Sequence, residues 1–148
     1  MAMELFHRMF PEIGTDEYRS VTVSDPRGGL PVGEYGFAEA YCTDPGCDCR
    51  NLLLDVVGGT PPRWLATLNY ALDPGGFKEI DEEGQVMLDI LNPQSELSPK
   101  ILELFQQTLA RDPVFLERVE RHLAMVKKRS QENSQARSRE RPHVRTAG

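Results

Sequence analysis

Three cysteines fall in one short segment, Tyr41-Cys42-Thr43-Asp44-Pro45-Gly46-Cys47-Asp48-Cys49-Arg50. A thiolate is a nucleophile, a redox centre and a soft metal ligand, so a cluster of this kind limits the chemistry to those three. Asp44-Pro45-Gly46-Cys47 has type II turn chemistry, with proline presetting the first corner and glycine permitting positive φ at the second. The turn brings the end of one strand to the start of the next, and an extended Cys-x-Cys pair projects both sulfurs to one side. The spacing therefore predicts that Cys42, Cys47 and Cys49 meet at one hairpin tip. Zn²⁺ suits such a site, because it accepts thiolates tetrahedrally and lowers their pKa values.

Three ligands leave a fourth open. His122 lies at helical spacing with Phe115, Val119 and Val126, on or beside an apolar stripe, and is the periodicity-based candidate. His7, between apolar residues near the amino terminus, could also fold over the tip. Asp44 or Asp48 could supply an oxygen, and a water would make the site of catalytic type. His143 belongs to a segment expected to be unstructured. Glu39, on the strand leading into Cys42, is placed to orient a ligand or Arg50 from outside the coordination shell, with an ordinary exposed strand residue as the alternative.

The run from Tyr35 through Tyr41-Cys42 to Cys47-Asp48-Cys49-Arg50 resembles an uncharacterised bacterial family with a Tyr-Cys…Cys-Asp-Cys-Arg signature. It is also similar to the short SEC-C type zinc motif, which ends in an adjacent Cys-Cys or Cys-His pair that this chain lacks. The resemblance covers a minor part of the chain and implies no particular activity.

The elements that must position these residues follow from periodicity. Alternation over 18–24, with Val21 and Val23 on one face, predicts a first strand. A second spans 34–42, where Tyr35, Phe37 and Tyr41 suit a pleated, half-buried surface. The third, 51–57, is apolar on both faces and so central. A fourth spans 64–72 and a weaker fifth 86–91. Turn residues separate them at Asp25–Pro31, Gly58–Pro62 and Asp73–Gly76. Short connections make this an antiparallel meander. Ser98-Pro99 and Asp112-Pro113 each read as an N-cap followed by proline in the first turn. Ile101, Leu102, Phe105 and Leu109 then recur at helical spacing, as do Phe115, Leu116, Val119, Leu123 and Val126, giving a helical hairpin whose stripe packs on the sheet. The expected fold is α+β: an antiparallel β-sheet meander of about five strands followed by a C-terminal helical hairpin. Residues 1–129 form one domain, and 130–148, nearly without hydrophobic residues, form a basic disordered tail.

Composition limits the function classes. The chain of 148 residues is 39% hydrophobic and 27% charged, ordinary for a soluble domain that needs no disulfides at this length. An odd cysteine count also disfavours a closed disulfide framework. The sequence shows no signal-peptide pattern and no apolar run long enough for a membrane helix, so the expected location is cytoplasmic, where clustered thiols more often bind metal. Lys127, Lys128, Arg129, Arg137, Arg139, Arg141 and Arg145 face only Glu132 and Glu140, a net of +5 that leaves −11 on residues 1–126 of a chain whose total is −6. Nucleic acid could therefore meet the tail but not the body. The paired glycines sit beside prolines and read as turns rather than phosphate loops, and no serine has a nucleophile-elbow pattern. Glu79, Asp81, Glu82 and Glu83 read as a solvated acidic loop, since their spacing matches no calcium loop.

Three functions fit these features. The first is a zinc-stabilised structural or interaction module rather than an enzyme, with an unknown protein or nucleic acid partner; an exposed remainder of the helical stripe could support a homo-oligomer. The second is a zinc-dependent hydrolase or deaminase using a bound water, with Glu39, Asp44 or Asp48 as acid–base. The third is a thiol redox or metal sensor, in which Cys47 and Cys49 close a strained disulfide.

Overall fold

In the computed structural model, residues 3–72 and 85–140 are described. Asp73–Gly76, the acidic run at 79–83, His143, Arg141 and Arg145 lie outside them. The architecture is α+β. Six strands form one antiparallel sheet: β1 (Met3–Leu5), β2 (Arg19–Val23), β3 (Gly33–Cys42), β4 (Asn51–Gly58), β5 (Arg63–Ala71) and β6 (Val86–Leu88). From β2 to β6 it is the expected meander. The far edge of β3 is shared: β2 pairs with its first half, Arg19 opposite Phe37, and β1 with its end, Met3 opposite Cys42. Two short helices, α1 (Phe6–Met9) and α2 (Pro11–Asp16), connect β1 to β2. β4 shows no exposed apolar face, as its central position requires, with Leu52, Leu54 and Val56 completely buried. The β4–β5 turn passes through Gly59 at φ 95°, a left-handed conformation that suits glycine.

Helix α3 (Ser98–Gln107) and the long helix α4 (Pro113–Glu140) are joined by a 3-10 turn, Leu109–Arg111. They close the core over one sheet face. Phe105 lies between Phe37, Tyr70 and Phe115, with ring centroids 5.6–5.9 Å apart. Ile101, Leu109, Val119, Leu123 and Val126 complete the buried stripe. The two expected helix starts differ in detail. Asp112 does cap α4, its Oδ1 accepting the Val114 N–H at 2.9 Å. Ser98 instead stands inside the first turn of α3, and its hydroxyl donates to Gln94 Oε1 at 2.8 Å and Leu65 O at 3.2 Å. It fastens the helix to β5 rather than capping it.

The stretch after Arg129 departs from expectation. α4 continues to Glu140, so residues 130–140 are helical and not a disordered tail. Gln, Glu, Arg and Ala are good helix formers, and a helix already nucleated by its buried amino-terminal half extends through them at little cost. Ser130 is still buried there, and the Arg129 guanidinium lies 4.5 Å from the Phe10 ring centroid. None of the described helices is long and apolar enough to cross a membrane.

Candidate metal centre

The β3–β4 connection gathers the three cysteines. Cys42 is the last residue of β3 and is buried at 1% exposure, while Cys47 and Cys49 are half-buried. All three Sγ atoms lie within 4.8 Å of one another, and all three thiols are free. The turn between them closes as expected, with the Cys47 N–H donating to Asp44 O at 3.1 Å. It is not of type II, however, because Gly46 does not take positive φ. The Asp44 side chain closes it instead, Oδ1 accepting the Gly46 N–H at 2.9 Å. The Cys49 N–H then donates to Cys47 Sγ at 3.4 Å. The tip is tied to α4 at two points. Lys127 Nζ donates to Cys47 O at 3.0 Å, and Arg50 Nη2 meets both Glu120 oxygens at 2.5–2.6 Å.

These contacts make the thiols unequal. The N–H of Cys49 favours a Cys47 thiolate and lowers its pKa, and the Lys127 ammonium acts in the same sense. Burial pushes Cys49 up to about 11, with the hydrogen bond to Cys47 adding to it. Without a cation the cluster resists holding three negative charges. A bound metal ion removes that resistance. The donor set is one that a thiophilic metal ion fits, and among the described residues no other group of three or more candidate ligands comes together.

The remaining candidates lie elsewhere. His122 is buried as its periodicity indicated, but the structure does not bring it to the cysteines. Its Nδ1 is 2.9 Å from Glu39 Oε1 and its Nε2 3.2 Å from Glu17 Oε1, while its ring stacks on Phe6 at 3.8 Å between centroids. Both nitrogens are thus directed at carboxylates rather than at a metal. His7 is exposed on α1. Asp44 is occupied by the turn, Asp48 is exposed, and neither joins the sulfur cluster.

Glu39 is neither exposed nor turned towards Arg50. It is buried, and the Tyr41 hydroxyl donates to the same Oε1 that faces His122. Burial, with the neighbouring Glu39 charge, raises the Tyr41 pKa. Glu17 completes this second cluster: Arg121 pairs with it through both oxygens at 2.5–2.7 Å, and Arg118 approaches to 3.2 Å. The Arg121 hydrogen bonds hold its carboxyl at about 2. Sequence reasoning missed Glu17, Glu120 and the role of Lys127. Each is a charged residue whose partner lies 70 or more positions away, with no local pattern to mark it.

No protein-family model, curated protein or solved structure matches the chain.

Proposed function

We propose that this protein is a zinc-binding module without catalytic activity, in which Cys42, Cys47 and Cys49 hold Zn²⁺ as thiolates and the metal fixes the β3–β4 tip against α4 for recognition of a protein or nucleic acid partner. The observation that carries this reading is the convergence of three sulfurs within 4.8 Å. Tetrahedral zinc with Zn–S bonds of about 2.3 Å needs sulfurs about 3.8 Å apart, so only a small closing of the loop is required. All-sulfur donor sets are typical of structural zinc, whereas hydrolytic sites favour histidine and carboxylate. Two of the three acid–base candidates for a hydrolase or deaminase are committed elsewhere, Asp44 to its turn and Glu39 to Tyr41 and His122, and the third, Asp48, is exposed outside the sulfur cluster. Downstream of the tip, the exposed Lys128 and Arg139 on α4 offer a partner positive charge that the acidic body lacks.

Elemental analysis of the purified protein tests the reading, together with Cys47→Ser and thermal unfolding in the presence of a chelator. One zinc per chain is expected, lost in the variant, with a lower unfolding midpoint once the metal is removed. Absence of stoichiometric metal overturns the proposal. A midpoint that stays put after stripping overturns the structural role.

A further inference from the structure

Beside the cysteine tip runs a groove of about 370 Å³ between the loop and α4. Cys47 and Cys49 line it and Cys42 does not. The opposite wall carries Leu123, Ala124 and Lys127. Its volume is in the range of small-molecule pockets, about 300–1,000 Å³.

We infer, resting on the zinc reading above, that the metal's fourth position opens into this groove and takes the sulfur of a small-molecule thiol, bound as a thiolate beside Lys127. The donor count gives the first argument. Among the described residues the cluster supplies three ligands, and tetrahedral zinc takes four. The burial gradient gives the direction: Cys42 lies beneath the surface at 1% exposure while Cys47 and Cys49 are half-buried and line the groove, so a metal seated on all three is approached from the groove.

The walls select the ligand. Lys127 is fixed by one hydrogen bond to Cys47 O, and an ammonium has three donors, so it can hold the loop and still face an anion. Arg50 and Glu120, also in the wall, neutralise each other. Asp48, exposed in the same wall, disfavours a ligand carboxylate, while Lys127, held on the Cys47 carbonyl, offsets the charge of a metal-bound thiolate and Leu123 and Ala124 accept an alkyl chain. A metal already carrying three sulfurs favours a soft fourth donor over a carboxylate. Binding breaks the thiol S–H bond, forms a Zn–S bond, displaces a coordinated water and releases the proton to solvent, with no change of oxidation state.

Cobalt(II) in place of zinc makes this visible, because its sulfur-to-metal absorption reports the number of thiolates. The full-length protein would be loaded with Co²⁺, freed of excess metal, and titrated with 2-mercaptoethanol and, separately, with acetate. Saturable growth of the charge-transfer band by about a third is expected with the thiol, as three thiolates become four, and no change with acetate. Lys127→Met should keep the cobalt spectrum and bind the thiol about 5- to 10-fold more weakly, the loss of one nearby cation. Thiol affinity equal to that of the parent protein would remove Lys127 from the site. A cobalt protein with a three-thiolate spectrum that the thiol leaves unchanged, or that acetate alters instead, overturns this inference and leaves the zinc reading standing. Failure to form any three-thiolate spectrum overturns both.

Discussion

Strand β3 and helix α4 between them support two polar clusters of opposite design. At Glu39 and His122 the polar groups are partnered within the protein: the carboxylate's Oε1 receives Tyr41 and His122, and the ring's other nitrogen faces Glu17, which two arginines hold in turn. At the cysteine tip three groups that would all be anionic face one another, with the Cys49 and Asn51 backbone N–H groups and one lysine nearby. The first cluster is complete as folded. The second is one that a cation from outside could complete. Both contain residue types that bind metals, and what separates them is whether the protein has already spent their lone pairs and protons.

The comparison can be broken most forcefully at His122. His122→Leu leaves the buried Glu39 and the half-buried Glu17 each short of a hydrogen-bond partner and should cost about 3–5 kcal/mol in denaturant unfolding. Adding Glu39→Gln to that variant should restore part of the loss, since a neutral amide costs less than a carboxylate to bury short of a partner and Tyr41 keeps an acceptor. A double variant worse than the sum of the singles would contradict a charge-balanced cluster.

Metal removal tests the other cluster. Chelation should lower stability by about 3 kcal/mol when free zinc had stood at roughly 100 times its dissociation constant, and Cys47→Ser should be insensitive to the chelator. The His122→Leu protein should still bind metal with the parent's stoichiometry, which elemental analysis checks; loss of metal there would mean the two clusters are not separate.

Acid should separate them more gently. The folded Glu17 carboxyl is held at about 2, below its ordinary 4.5, so its contribution is whole above about pH 4.5 and is lost as pH falls through about 2. Thermal midpoints of the parent protein and Glu17→Gln should therefore converge across that window. The smallest effect is expected at Arg50 and Glu120, both about half exposed: a double-mutant cycle should return a coupling below about 1 kcal/mol.

Much of the fold could be read from the sequence because its signals are local. The alternation of Val21 and Val23, the aromatic run of β3, the apolar continuity of β4 and the Asp-Pro start of α4 each state their structure within a few residues. β1 could not be read this way: Met3–Leu5 is three residues long, runs straight into α1, and is a strand only because the end of β3 offers it a partner. The carboxyl-terminal half of α4 was obscured for a different reason. Its lack of apolar residues resembles disorder, while its composition favours helix once the amino-terminal half is packed. The cysteine convergence was legible because turn and ligands share one segment. His122 was legible as buried but not as the neighbour of two carboxylates, since its partners stand 83 and 105 positions away.

α4 also works as a ruler. It is one unbroken rod of 28 residues, about 42 Å at helical rise, and it presents His122 to one cluster and Lys127 to the other. Deleting a single residue between them would turn everything downstream by about 100° and draw it back by about 1.5 Å, taking Lys127 off the Cys47 carbonyl while His122 kept its seat. The five-residue interval from His122 to Lys127 thus sets the loop's alignment on the helix, and a substitution at the exposed Ala124 should be tolerated far better than a change in the interval's length.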